Sequence, residues 1–193
     1  PQIIKTFRTK KVRDVSVIIP VHKEPKEYVE YTLEHLYNER YPLKNVIVIG
    51  DSFSSDAKEA VRGLSKIHKN LYYYESQNIS KAKKINNLIK DKGKNLGEFV
   101  YVRDCRVKGE VDTIEKMVSY FNKESVAAVT SYGRVSKPKN SLSKGYFYGK
   151  SWINEVGRFR KNAQEKRGAV FVICGASTMF RKKILQKIPI PYK

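Results

Sequence analysis

Apolar residues in this chain come in short uninterrupted runs, each closed by a polar or turn-forming residue, with amphipathic stretches between them. Val15–Ile19 is a β-branched run stopped by Pro20, and Asn45–Ile49 is a second, stopped by Gly50-Asp51. Leu71–Tyr74 and Glu98–Arg103 follow, the latter ending at Asp104. Runs of four to six residues that are apolar throughout read as strands buried on both faces. Between them, helical spacing predicts helices over Glu24–Arg40 (Val29, Leu33, Leu36), Ser55–His68 and Lys81–Asp91 (Ala82, Ile85, Ile89). Strand and helix alternate, which implies an α/β domain: a mostly parallel sheet flanked by helices.

Beyond Asp104 the pattern predicts a helix over Glu110–Asn122 and a strand over Val126–Thr130. Tyr148, Trp152, Val156, Phe159 and Ala163 form a helical stripe with basic residues around it. A strand over Ala169–Cys174, the pair Gly175-Ala176 and a short basic helix over Met179–Lys187 complete the expected order. The whole of 1–193 reads as one domain, in two halves at 1–104 and 105–193.

In a parallel sheet the ligand crevice lies beyond the carboxyl ends of the strands. The residues delivered there are Pro20, Val21, His22 and Glu24 after the first strand, Asp51 after the second, and Arg103-Asp104 at the end of the fourth. Asp51 and Asp104 together point to function. Ser54, Ser55 and Asp56 read more simply as the turn and cap of the helix that follows.

Composition narrows the partners. Lys and Arg number 39 against 19 Asp and Glu, a formal net charge of +20. Fourteen of the basic residues and only two acids, Glu155 and Glu165, lie from Lys137 onward. Such a field attracts nucleotides, nucleic acid or anionic headgroups. Two cysteines, Cys105 and Cys174, make no disulfide framework and read as buried thiols of a reducing compartment. His22, His35 and His68 lack metal-ligand spacing. No run approaches the ~20 apolar residues of a membrane span, and a cytoplasmic protein is expected.

Six segments carry a resemblance to a known family. Val15–Glu24 (VSVIIPVHKE) resembles the opening strand and "P-x-x-N-E" turn of family 2 glycosyltransferases, inverting enzymes of the GT-A fold. Asp51–Asp56 (DSFSSD) is similar to their "D-G-x-S-x-D" turn, and Asn78–Asn86 (NISKAKKIN) to "N-x-G-K-A-x-A-L-N", with Ser80 in place of glycine. Gly97-Glu98 followed by Asp104 resembles the "G-E" pair and the strand leading to the "D-x-D" signature. Glu115–Val135 and Gly168–Leu185 resemble the hyaluronan- and chitin-synthase-like branch.

The resemblance implies transfer of a sugar from a UDP- or GDP-sugar to a glycan, protein or lipid acceptor. Asp51 would contact the base, Lys81 would join it in the nucleotide pocket, and Gly175-Ala176 would lie beneath the sugar or acceptor. Leaving-group charge on the diphosphate calls for a divalent cation, manganese or magnesium, or for fixed positive charge. Here the signature reads Asp104-Cys105-Arg106, so the second acid is missing. Either Asp104 holds the metal with diphosphate and water, or Arg103, Arg106 and Lys81 replace it. A third alternative is a site that binds nucleotide without turnover. The family's acidic base motif lies downstream of Gly-Ala, and no acid follows Glu165, which leaves Glu155 and Glu165 as candidates.

The basic aromatic stretch from Tyr146 to Arg167 is either a core stripe with solvated flanks or a helix lying on an anionic membrane at its inner face. A nucleic-acid-binding protein would also suit the charge, but the strand-end acids repel phosphate and no reading motif is present. A nucleotidyltransferase would need a Gly-rich loop after the first strand, where Pro20–Glu24 stands.

Overall fold

A computed structural model describes residues 12–77, 79–131, 142–166 and 175–191, with side chains from 148 onward in the third stretch. The element order is β1 (Val15–Pro20), α1 (Lys26–Tyr37), β2 (Asn45–Gly50), α2 (Ser55–Leu64), β3 (Leu71–Glu75), α3 (Lys81–Lys92), β4 (Phe99–Arg103), α4 (Thr113–Ser119), β5 (Ala128–Thr130), α5 (Leu142–Lys166), β6 (Ser177–Arg181) and α6 (Lys182–Lys187). The chain groups into two compact units, residues 1–129 with 175–193, and residues 130–174.

The strands form one six-stranded sheet in the order β3-β2-β1-β4-β6-β5. β1, β2, β3 and β4 are parallel, and β6 runs antiparallel to β4, with Phe99 opposite Arg181 and Arg103 opposite Ser177. The expected α/β class with a mostly parallel sheet is what the chain adopts. Side chains alternate along each central strand. Val15, Val17, Ile19, Phe99 and Tyr101 pack under α1, α2 and α4, while Ile18, Val100 and Val102 face Ile85, Leu88 and Ile89 of α3 and Leu185 of α6. With both faces covered, the strands must be apolar at every position, which is the pattern in the sequence. Truncating a side chain such as Leu33, fully buried under the sheet, would cost about 2–5 kcal/mol.

Two glycines permit close approaches. A Cβ at Gly97 would stand 2.5 Å from the Asp14 carbonyl, and one at Gly50 would stand 2.1 Å from Tyr73 Oη. Gly97 N–H donates to the buried Ser16 hydroxyl at 2.8 Å, drawing the approach to β4 against β1.

One boundary departs from expectation. Residues 179–181 belong to a strand, and the helix begins only at Lys182. The open edge of β4 takes up residues 177–181, and Arg181 supplies a buried donor: its guanidinium bonds the carbonyls of Phe121, Lys123 and Val126. Basic residues that read as helix surface are thus drawn into the sheet by unpaired backbone acceptors. The strand expected at Ala169–Cys174 lies outside the described residues, as do Cys174 and Asn78.

In the second unit, α5 carries the expected stripe. Tyr148, Trp152, Val156 and Phe159 are exposed along it, Trp152 by 69%. No helix among the described residues is long and apolar enough to cross a membrane.

Candidate functional site

Sequential strands run outward from β1 to β3, and β4 returns on the other side of β1. The carboxyl ends of β1 and β4 therefore flank a topological switch point, where crevices form in open α/β sheets. A cleft of about 440 Å³ opens there. Pro20, Val21, His22 and Glu24 line it from the β1 side, and Asp104 and Cys105 from the β4 side. Ile79, Lys81 and Lys84 close it from the start of α3.

Lys81 is the first residue of α3, and its ammonium bridges the Asp104 carboxylate and the Gly175 carbonyl, the latter at 2.9 Å. Ser80 accepts the Lys83 amide and so caps this helix. A serine in place of the motif's glycine thus has a local reason. The Asp104 amide donates to the Ala176 carbonyl at 2.8 Å, which brings Gly175-Ala176 against the same corner. Both partners of the Lys81–Asp104 pair are about two-fifths exposed.

Lys84, one helical turn on, is buried to 3% exposure. Its ammonium lies 2.5 Å from Asp51 Oδ2 and 3.3 Å from the Val21 carbonyl. His22 Nδ1 shares that same Asp51 oxygen at 2.8 Å. Asp51 Oδ1 accepts the Phe53 amide at 3.0 Å, and the Ser54 hydroxyl, 3.2 Å from the same oxygen, gives its one proton to the His22 carbonyl at 2.6 Å. Burial alone would push the Asp51 carboxyl up. Lys84, His22 and the Phe53 amide outweigh it and hold the group well below the usual carboxylate range. Ser54 makes no side-chain cap to α2, contrary to the simple capping expectation; its hydroxyl is engaged by this network.

Pro20, Val21, His22, Glu24, Lys81 and Asp104 are thus brought together in one cleft. Asp51 and Arg103 do not line it. Arg103, expected at the nucleotide, is wholly buried under α1, where it pairs with Glu39 at 2.7 Å and donates twice to the Val107 carbonyl. The physical reason is strand alternation: Phe99, Tyr101 and Arg103 share a face, and that face is covered. Glu155 and Glu165 lie on α5 in the second unit, where Glu155 pairs with Arg158 at 2.7 Å.

Arg106 adopts a left-handed backbone, φ 70°, that non-glycine residues seldom take. Its amide donates to Thr32, whose hydroxyl donates in turn to the Tyr28 carbonyl, and its guanidinium lies 4.1 Å from the centre of the Tyr28 ring. A divalent cation is therefore poorly served. Asp104 is engaged by an ammonium, position 106 brings a cation to an aromatic ring, and no group of three acidic, His or Cys side chains gathers among the described residues. Among the described residues the donor set does not fit a metal held by side chains alone.

The sequence model of Glycosyl transferase family 2 matches residues 16–189. This chain belongs to that family. The chain is 26% identical over 178 residues to the poly-β-1,6-N-acetyl-D-glucosamine synthase of Staphylococcus epidermidis, a match covering 92% of this chain and 42% of that one. It therefore spans less than half the length of this curated relative. Among solved structures it is similar to the mannosyltransferase PcManGT from Pyrobaculum calidifontis, in complex with GDP-Man and Mn2+ (TM-score 0.73, 23% identity, 94% of this chain, 48% of that one). It also resembles S. aureus TarS 1–349 in complex with UDP-GlcNAc (TM-score 0.59, 17% identity, 92% of this chain, 48% of that one). At these identities the structural likeness establishes the chain's fold, which is that of the GT-A neighbours.

Proposed function

We propose that this family 2 glycosyltransferase binds a UDP- or GDP-sugar in the cleft between the ends of β1 and β4, with Lys81 at the diphosphate. One observation carries the reading: at the switch point of the sheet, a solvent-accessible ammonium is held between the Asp104 carboxylate and the Gly175 carbonyl. An acceptor hydroxyl of a glycan, protein or lipid attacks the anomeric carbon, and the bond from that carbon to the diphosphate oxygen breaks with inversion. Negative charge then grows on the diphosphate, and Lys81 is the cation positioned to meet it. Of the three fixed cations expected there, Arg103 is buried and Arg106 lies over Tyr28, so Lys81 alone takes this role. A divalent ion would draw its oxygens mainly from the diphosphate. Glu155 and Glu165 are the proposed bases for the acceptor proton.

Calorimetric titration with UDP, GDP and their sugars, each with and without Mn2+, tests the donor site. Binding of one nucleotide is the expected outcome, and a folded chain that binds none sinks the reading. Binding without transfer to any acceptor identifies a silent donor-binding homologue.

The exposed aromatic stripe of α5, with Lys150, Arg158, Arg160, Lys161 and Lys166 on the same helix, supports a second element: peripheral contact with an anionic membrane. Co-sedimentation with vesicles of anionic lipid is expected, and equal sedimentation with zwitterionic vesicles would remove the electrostatic basis of this proposal.

A further inference from the structure

Where the metal-binding signature of the family has its second acid, this chain has Arg106, and the fold ties that residue to α1. Its amide donates to the Thr32 hydroxyl at 2.9 Å, and its guanidinium lies 4.1 Å from the centre of the Tyr28 ring. No other acid stands in. All 19 Asp and Glu of the sequence fall in the described stretches, yet only Glu24 and Asp104 line the cleft. Glu24 accepts the His22 amide at 2.6 Å.

The Asp104 carboxylate is met by a cation of the chain itself. The Lys81 ammonium touches it and lies 2.9 Å from the Gly175 carbonyl, which occupies two of its three N–H donors. The Lys81 side chain is 41% exposed where it lines the cleft. A divalent ion at Asp104 would either displace this ammonium or share the carboxylate with it. Displacement leaves the ion one carboxylate where magnesium or manganese takes about six oxygens. Sharing sets a double positive charge a few ångströms from a single one, with one carboxylate to neutralise both.

We propose that the Lys81 ammonium stands in for the divalent cation, so that the donor's diphosphate binds without metal. Asp104 is then a positioning residue: together with the Gly175 carbonyl it holds the ammonium at the carboxyl end of β4. The start of α3 adds the positive end of its dipole at the same place. The inference rests on the donor-site reading of the cleft and takes it further, since it gives Asp104 a lysine to hold where the motif comparison gave it a metal.

The test is calorimetric titration of the chain with UDP and GDP, in EDTA and again in excess Mn2+. For the nucleotide that binds, the two affinities are expected to agree within about threefold. In EDTA, Lys81→Met should weaken binding about tenfold or more. Lys81→Arg keeps the charge; it should recover most of that loss and serves where the Met variant fails to fold. Asp104→Asn keeps an acceptor for the ammonium and removes a negative charge beside the diphosphate, so its affinity should hold or rise. Three results overturn this inference alone: a gain of more than about threefold on adding Mn2+, a folded Lys81→Met chain that binds as tightly as wild type, or weaker binding by Asp104→Asn. If wild type binds neither nucleotide, with or without Mn2+, the donor-site reading falls and takes this one with it.

Discussion

Two ammonium–carboxylate pairs stand one helical turn apart on α3 and differ in almost everything else. Lys84–Asp51 is sealed, with side chains 4% and 0% exposed, and the carboxylate also receives the His22 ring and the Phe53 amide. Lys81–Asp104 stands in the open, its ammonium touching one carboxylate and one carbonyl. A sealed pair has lost its water and cannot exchange partners without leaving a bare charge in the interior. An open pair exchanges readily with solvent or with a diphosphate, and its own contribution to stability is small. The same two residue types thus build the frame of the cleft in one case and its working surface in the other.

The comparison breaks most sharply at Asp51. Asp51→Ala strands the Lys84 ammonium in the interior and should cost about 3–5 kcal/mol, a large part of a domain's usual ~5–15 kcal/mol. The urea midpoint reads this, and an unchanged midpoint would show that Lys84 is not sealed. Loss of nucleotide binding in Asp51→Ala would therefore report the fold as well as the site. Adding Lys84→Met to it should restore part of the loss by removing the orphaned charge. A smaller and different effect is expected at the other pair: Lys81→Met should shift the urea stability by less than about 1 kcal/mol while weakening diphosphate binding about tenfold or more. If stability and affinity fell together at Lys81, the two pairs would not differ in kind.

Much of this arrangement was legible in the residues. Continuous apolar runs announced β1, β2 and β4 because those strands are covered on both faces, and their polar termini located the cleft. Two features hid from that reasoning. Lys84 drew no expectation of its own, since nothing local signals that a lysine will be buried against a distant Asp51. The available clue was its spacing three residues beyond Lys81, on the same helix side. Arg103 looked like a rim residue because it ends a strand, yet the two-residue alternation from Phe99 through Tyr101 carries it beneath α1 to Glu39. Extending the alternation one step past the apolar run would have found it.

The antiparallel strand also bears on how the chain is made. β4 lies at the centre of the sheet, but its second neighbour arrives only with residues 177–181, after an excursion of more than seventy residues. During synthesis the β4 edge stands unpaired through that interval, a template for pairing with other chains. The three carbonyls awaiting Arg181 are open for just as long. Closing so long a loop is a slow, non-local event, so the nascent chain is most exposed to misassembly in the interval before Arg181 leaves the ribosome.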